Sequence, residues 1–235
     1  MHTWVDVLGV WAVRAAVLTL FIGIIWRFSL WLRTPAPRQV VLTPAPTTRI
    51  GVAWLLLHES VLFTTLFKAN RWTWLFSWLF HSGLALVLLQ HLRYVTADWW
   101  EWVAWLANWG HIASTMMLIG LLGLSARRVL VDRMRYISRV SDHTILALLG
   151  VLVLTGLALK HVWPVNVLEV KEFVRGALLL SDADSVPLHW GFLAHLSLAW
   201  MLIVSFPFGK LMHGAGLWFN PTRARADRGR ARNNT

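Results

Sequence analysis

Five stretches of about twenty apolar residues constrain the possible folds of this chain more than any other feature. They cover residues 4–30, 74–94, 107–126, 143–163 and 188–208. A stretch of this length crosses the bilayer as an α-helix, in which every backbone polar group is hydrogen-bonded internally. With 57% hydrophobic and only 14% charged residues, the composition excludes an ordinary soluble domain. The predicted fold is therefore an all-α membrane protein, a bundle of five transmembrane helices.

The distribution of basic residues predicts how this bundle is oriented. Counting Arg27 near the end of the first span, seventeen of the 22 Lys and Arg residues lie between the first and second spans, between the third and fourth, or after the fifth. Because basic loops stay in the cytoplasm, we expect the N-terminus outside, the C-terminus in the cytoplasm, and a multi-pass protein of the cytoplasmic (inner) membrane. The first span lacks a basic leading segment and a small-residue cleavage site, so we expect a retained helix rather than a cleaved signal peptide.

The segments outside the spans predict interfacial structure. Residues 51–67, which contain Glu59, and residues 167–180 are apolar stretches with interspersed charges, and both are expected to form amphipathic interfacial helices, on the inner and the outer surface respectively. Residues 34–48 contain four prolines and predict an extended linker. We divide the chain into a membrane domain, 1–215, and a basic cytoplasmic tail, 216–235. The tail is suited to anionic lipid or an acidic partner, and no fold accompanies it that would bind nucleic acid.

Histidine is the residue type most able to carry chemistry here, because the chain has ten histidines and no cysteine. Without cysteine it cannot ligate an iron–sulfur cluster or attach a haem through thioethers. His81 and His91 lie ten residues apart on the second span, and His195 and His213 lie eighteen apart on the fifth span and its continuation. If these two spans are antiparallel, His81 opposes His213 and His91 opposes His195.

Two facing imidazoles are the axial ligands that a six-coordinate b-type haem requires, so the spacing predicts two haems at two depths. Ten helical residues rise about 15 Å and eighteen about 27 Å, a mismatch that a kink at Pro207 would reduce. Gly191 and Gly209 each precede a histidine by four residues, which favours flat space beside a ligand. The alternative is that these glycines and histidines only mediate helix packing.

Several segments resemble a known family. They are FHSGLALVLLQHLRY (80–94), RRVLVDRMRYIS (127–138) and HLSLAWMLIVSFPFGKLMHGAGLWFNPTR (195–223), with LFKAN and NVLEVKE nearby. Together they resemble the membrane cytochromes b related to the respiratory nitrate reductase gamma subunit, in particular the DsrM members found in DsrMKJOP complexes associated with sulfite reduction. The resemblance implies two haem b groups, an inner one ligated by His81 and His213 and an outer one ligated by His91 and His195.

The resemblance also implies a function and a set of partners. Such a subunit moves electrons between a membrane quinone, menaquinone or ubiquinone, and a cytoplasmic iron–sulfur subunit similar to heterodisulfide reductase, in dissimilatory sulfur metabolism. The other implied partners are an extracytoplasmic multihaem cytochrome c, an extracytoplasmic iron–sulfur subunit and a second integral membrane subunit. Alternatives are a nitrate reductase gamma-type or heterodisulfide reductase cytochrome b subunit, or, from other classes, a haem-free membrane anchor or a transporter with a histidine proton relay.

Further polar residues near the spans are candidates for supporting roles. Lys160 and His111, with His161 and His189, could form a quinone site beside the outer haem, because proton acceptors there would separate protons from electrons. Arg93 and Lys210, and also Arg14, could pair with haem propionates. The alternative for each is an interfacial side chain that extends its charge to the membrane surface.

Overall fold

The computed structural model describes residues 4–34, 46–96, 101–179 and 185–219, and these form eleven α-helices with no strand among them. Five helices are long: α1 (Trp4–Arg33), α4 (Arg71–His91), α6 (Gly110–Leu130), α8 (Val140–His161) and α10 (Trp190–Ser205). Six are short: α2 (Arg49–Leu62), α3 (Thr64–Ala69), α5 (Glu101–Asn108), α7 (Asp132–Ile137), α9 (Val167–Leu179) and α11 (His213–Trp218). The predicted all-α architecture is confirmed.

The five long helices are the five predicted spans. Each is long and apolar enough to cross a membrane, α4 and α10 with the 3₁₀ turns that continue them to Tyr94 and Phe208. The predicted ends agree with the observed ones to within four residues. The largest difference is at the end of the third span, which extends to Leu130 instead of residue 126. This span begins at Gly110, three residues later than predicted, because α5 ends at Asn108. Trp109, at φ −90° and ψ 2°, separates the two helices. The orientation of the bundle stays a prediction.

The spans leave most of their apolar surface uncovered by the chain itself. In no span is more than 22% of the apolar segment buried, and Phe21, Ile22 and Ile25 of α1 are each more than half exposed. Contiguous apolar surface of this extent is untenable in water. It is the surface expected of helices that contact lipid or other membrane subunits.

The chain divides into two compact units. The first contains residues 1–18 and 72–204, and the second contains residues 19–71 and 205–235. The predicted boundary between a membrane domain and a tail at residue 215 stays a prediction. Residues 220–235 of that tail, residues 35–45 of the proline-rich segment, and Asp98, Trp99, Trp100, Asp182 and Asp184 lie outside the described residues.

In the first unit, two glycines let α4 and α6 approach each other backbone to backbone. A Cβ atom on Gly83 would lie 2.6 Å from the Met117 nitrogen, and one on Gly120 would lie 2.5 Å from the Phe80 nitrogen. Membrane helices pack in this way because small residues bring their backbones into van der Waals contact. Gly83, two residues after His81, therefore serves helix packing.

The other core of the first unit is built around α9. Phe173 and Ala177 of this helix are fully buried, and they pack with Val13 of α1, Val186 and Phe192. The Asp6 carboxylate accepts a hydrogen bond of 2.8 Å from the Val186 nitrogen, which ties the start of α1 to the segment before α10. The predicted helix at residues 167–180 is confirmed, and its apolar face is covered by protein.

In the second unit, the later part of α1 packs against the segment that carries His213. A Cβ atom on Gly23 would lie 2.5 Å from the Pro207 Cγ, so the proline ring occupies the space that the glycine leaves. The ring of Phe219 lies 5.2 Å from the rings of both Phe28 and Trp31. Aromatic pairs at this separation stabilise the contact beyond the area they bury.

The apolar stretch at residues 51–67 forms two short helices instead of one. Phe63, at the junction, has a left-handed backbone conformation, φ 52° and ψ 45°, which ends α2. The Glu59 carboxylate accepts hydrogen bonds from the Thr64 hydroxyl at 2.6 Å and from the Thr65 nitrogen at 3.1 Å, and so caps α3. The prediction that this segment lies along the inner surface stays open.

Candidate functional site

Two of the four predicted ligand histidines lie on α4, and both hydrogen-bond to the preceding turn of their own helix. His81 Nδ1 lies 2.7 Å from the Ser77 carbonyl oxygen, and His91 Nδ1 lies 2.6 Å from the Val87 carbonyl oxygen. A carbonyl oxygen has no proton, so Nδ1 must be the donor in each bond. We therefore assign the Nδ1–H tautomer to both rings, which places the lone pair on Nε2.

The other two predicted ligands show the same arrangement with different acceptors. His213, the first residue of α11, directs Nδ1 to the Lys210 carbonyl oxygen at 3.0 Å. His195 of α10 directs Nδ1 to the Thr155 hydroxyl of α8 at 2.9 Å. Because that hydroxyl donates its own proton to the Leu152 carbonyl oxygen at 2.9 Å, it accepts the proton of His195. All four imidazoles thus carry the Nε2 lone pair that a metal requires.

The remaining histidines of the described residues differ from these four. His189 Nδ1 accepts a long hydrogen bond of 3.4 Å from the Phe192 nitrogen, which is the opposite role. No hydrogen bond from Nδ1 to an acceptor is formed by His58, His111, His143 or His161. The histidines that the sequence spacing singles out are therefore also those oriented as metal ligands usually are.

His91 and His195 both belong to the first unit, and their imidazoles are close enough to interact electrostatically. The Tyr94 ring lies edge-on to His91, with 5.8 Å between ring centroids. Because His81 belongs to the first unit and His213 to the second, their pairing stays a prediction.

The donor set fits a haem. In the parts of the chain that the structure describes, no three His, Cys, Asp or Glu side chains come together, as a tetrahedral metal site would require. A b-type haem needs only two protein ligands, because the porphyrin supplies the other four nitrogens. Paired imidazoles, each with Nδ1 engaged and the lone pair on Nε2, meet that requirement.

The structure gives the predicted propionate partners different surroundings. The Arg93 guanidinium lies 4.6 Å above the Tyr94 ring centroid and donates from Nη2 to the Tyr94 hydroxyl, while its buried Nε has no protein acceptor. Lys210 lies in the 3₁₀ turn before His213 with its side chain exposed. Arg14 donates from Nε to the Ala177 carbonyl oxygen near the end of α9, at 3.0 Å, so it also supports that helix.

The structure adds a second arginine that the sequence interpretation did not single out. Arg175 of α9 also has a buried Nε with no protein acceptor. Its helix packs against the turn at residues 92–94, directly after His91. A positively charged pair, Arg93 and Arg175, therefore belongs to the two elements that adjoin this end of α4.

The predicted quinone residues come together at one end of α6 and α8. His111, at the start of α6, and His161, at the end of α8, have ring centroids 6.5 Å apart with the rings nearly perpendicular. Lys160 Nζ lies 3.4 Å from the Ala107 carbonyl oxygen of α5, and its side chain is exposed. Gly110 packs against the Gln90 side chain, so this end of α6 is also the end at which His91 lies.

Two arguments from helical spacing were wrong. The eighteen residues from His195 to His213 are not one helix, because α10 ends at Ser205 and two 3₁₀ turns follow, with Gly209 in an extended conformation between them. The estimated rise of about 27 Å assumed a continuous helix and does not apply. Gly209 therefore does not share a helical face with His213, and Gly191 packs against His189 and Trp163.

Comparisons with known proteins identify relatives of this chain. The sequence profile of the nitrate reductase gamma subunit family matches residues 63–224, which include all four candidate ligands. The chain is 28% identical to the Hdr-like menaquinol oxidoreductase cytochrome b-like subunit of Archaeoglobus profundus, over 86% of this chain and 74% of that protein. It is also 28% identical to the subunit of the same name from Archaeoglobus fulgidus, over 96% and 81% of the two chains.

Proposed function

This chain belongs to the nitrate reductase gamma subunit family, and from that premise we propose that it is the dihaem cytochrome b of a membrane complex that exchanges electrons with quinone. His91 and His195 ligate the outer haem, and His81 and His213 ligate the inner one. The observation that carries this proposal is the shared tautomer: four histidines, and no other described histidine, hydrogen-bond through Nδ1 to an acceptor.

The haems would supply reversible one-electron transfer, and the chain would hold them in place. Each Nδ1 hydrogen bond fixes the rotation of an imidazole and raises the basicity of its Nε2. The surrounding apolar helices exclude water, which favours electron transfer over ligand exchange. Arg93 and Arg175 would neutralise propionate charge at the His91 end, since a buried guanidinium Nε without an acceptor is costly until an anion pairs with it.

We infer that menaquinol is the membrane substrate, because the two relatives are named as subunits of menaquinol oxidoreductases. His111, His161 and Lys160 lie together at the His91 end, where they could accept the protons of a quinol whose electrons pass to the outer haem. The partner that takes the electrons is then a cytoplasmic iron–sulfur subunit of the heterodisulfide reductase type. More specifically, we propose that the chain acts in dissimilatory sulfur metabolism, as the DsrM members of the family do.

The histidines are less suited to helix packing alone. His91 and His213 both expose more than a third of their surface, whereas a histidine that only mediates a contact between helices would be covered. This exposure favours the cytochrome over a haem-free anchor.

The deciding experiment is a reduced-minus-oxidised spectrum of the purified subunit with haem quantified per chain. We expect the α band of a b-type cytochrome and two haems per chain. A colourless protein would overturn the proposal, and one haem per chain would restrict it to a single histidine pair.

A further inference from the structure

The imidazole of His195 is held differently from those of the other three candidate ligands. His81, His91 and His213 each donate to a backbone carbonyl oxygen three or four residues earlier in the chain. His195 instead donates to a side chain on another helix, the hydroxyl of Thr155, forty residues away, and the Leu152 carbonyl oxygen lies near the same ring. Its orientation therefore depends on one turn of α8, in which Thr155 is the side-chain acceptor.

The Thr155 hydroxyl forms a relay of two hydrogen bonds. It accepts from His195 Nδ1 at 2.9 Å and donates to the Leu152 carbonyl oxygen at 2.9 Å. Because the second bond orients the hydroxyl proton away from the imidazole, an oxygen lone pair faces Nδ1. Hydrogen bonds in such a chain also polarise and strengthen one another.

Gly156, the residue after Thr155, also contacts the His195 ring. A Cβ atom on Gly156 would lie 3.2 Å from His195 Cε1, which is closer than most packed carbons come to one another, and an ordinary 3.8 Å from Nδ1. Gly156 therefore lets the imidazole lie directly against α8. Together Thr155 and Gly156 fix both the tautomer and the position of the ring.

We propose that Thr155 is a positioning residue for His195 and tunes the reduction potential of the haem that His195 ligates. This inference rests on the proposed function. A hydrogen bond from Nδ1–H makes Nε2 a stronger electron donor, which stabilises ferric over ferrous iron and lowers the potential. Loss of the hydroxyl removes that donation and raises the potential of one haem only.

The test is a potentiometric titration of the haem-loaded protein, followed through its reduced-minus-oxidised spectrum. Thr155→Val keeps the shape of the side chain and removes the acceptor, so one of the two midpoint potentials should rise while the other stays unchanged. Thr155→Ser keeps a hydroxyl and should restore the original value. Thr144→Val is the matched control, because Thr144 is an exposed residue of the same helix whose hydroxyl bonds only to the Val140 carbonyl oxygen.

A second pair of variants tests the contact between Gly156 and the His195 ring independently of the Thr155 hydroxyl. Gly156→Ala should displace the ring and weaken retention of the same haem that responds to Thr155→Val. Gly150→Ala is its control, since a Cβ atom there would meet nothing nearer than Leu121 at an ordinary 3.6 Å. Loss of one haem in Thr155→Val but not in Thr155→Ser would also support the proposal.

Different results would overturn the proposed function and the inference about Thr155. Wild-type protein without haem overturns the proposed function and this inference with it. Haem-loaded Thr155→Val with both potentials unchanged overturns the inference alone. Equal shifts of both potentials, or the same shift in Thr144→Val, would show a general effect on the helix and would likewise overturn it.

Discussion

At the scale of single residues, the four candidate ligands combine a fixed tautomer with dissimilar acceptors. Three use a carbonyl group of their own turn, so their orientation follows from the local backbone whatever the neighbouring side chains are. His195 uses a side chain from α8. Among the four rings, the orientation of His195 is therefore the most sensitive to a substitution elsewhere in the chain.

Single substitutions of the ligands should separate the two haems. His91→Ala or His195→Ala should remove the outer haem and leave most of the inner one, because each variant leaves only one axial imidazole at that level. His81→Ala or His213→Ala should do the reverse. Haem quantification with low-temperature spectra measures this, and loss of the same spectral component in His81→Ala and His195→Ala would contradict the antiparallel pairing.

Sequence reasoning could single out the candidate ligands but not what holds them. Their order along two antiparallel spans is sufficient to single out four histidines, although the helical rise estimated between His195 and His213 does not apply. Thr155 and Gly156 have no such signal, since their contact with His195 depends on which faces of α8 and α10 meet. The acceptors at Ser77, Val87 and Lys210 are backbone atoms, so their side chains carry no information about them.

At the scale of elements, the start of α8 depends on one buried carboxylate. Asp142 is 7% exposed, accepts a hydrogen bond of 3.1 Å from the Arg139 nitrogen, and lies 3.6 Å from Arg128 Nη1 of α6. It caps its own helix and also joins that helix to the end of the preceding span. An acidic residue in the first turn also complements the helix dipole.

Removal of this carboxylate should destabilise the bundle. We expect Asp142→Ala to cost about 1–3 kcal/mol, because it leaves the Arg139 nitrogen without its acceptor and removes the charge partner of Arg128. Asp132→Ala is the control, since Asp132 pairs with Arg135 at 2.7 Å on an exposed surface where such pairs contribute little. Thermal unfolding in detergent, followed by circular dichroism, measures both, and equal shifts would contradict the assigned role of Asp142.

The elements show where hydropathy is informative and where it is not. It located all five spans because their length is set by the bilayer. It merged the end of α5 with the start of α6, since averaging over a window hides the backbone change at Trp109. Pro207 did signal that α10 ends early, but the alternation of 3₁₀ turns with an extended Gly209 was not foreseeable from a single proline.

At the scale of the whole molecule, the basic loops predict which side of the membrane each end of the chain occupies. A reporter fused after Thr235 should read as cytoplasmic, because 16 of the 22 basic residues lie in the segments that we place there and Arg27 lies near the same end of the first span. The matched fusion, inserted after Pro164 between α8 and α9, should read as extracytoplasmic. The reverse pattern would invert the bundle and place the His81–His213 pair outside.

We expect quinol oxidation at the end of the bundle that carries His91, which the predicted sidedness places outside. Lys160→Ala or His111→Ala should slow haem reduction by a menaquinol analogue by about tenfold or more, through loss of a proton acceptor, with both haems retained. His143→Ala is the control, because His143 is an exposed histidine at the other end of α8. Stopped-flow absorbance measures the rate, and a photoreactive quinone that labelled Trp74, Trp78 or Lys210 instead would contradict this placement.

The bond between Asp6 and the Val186 nitrogen joins residues 180 positions apart, and it therefore sets an order of assembly. The first helix enters the membrane long before Val186 leaves the ribosome, so the start of α1 must wait for its partner until nearly all of the chain has been made. During that interval Phe173 and Ala177 have no cover from the segment around Val186. Contacts of such long range form late and slowly. Biogenesis should thus be most vulnerable just before the last span is inserted, when a chain that is almost complete still lacks the contact that closes its core.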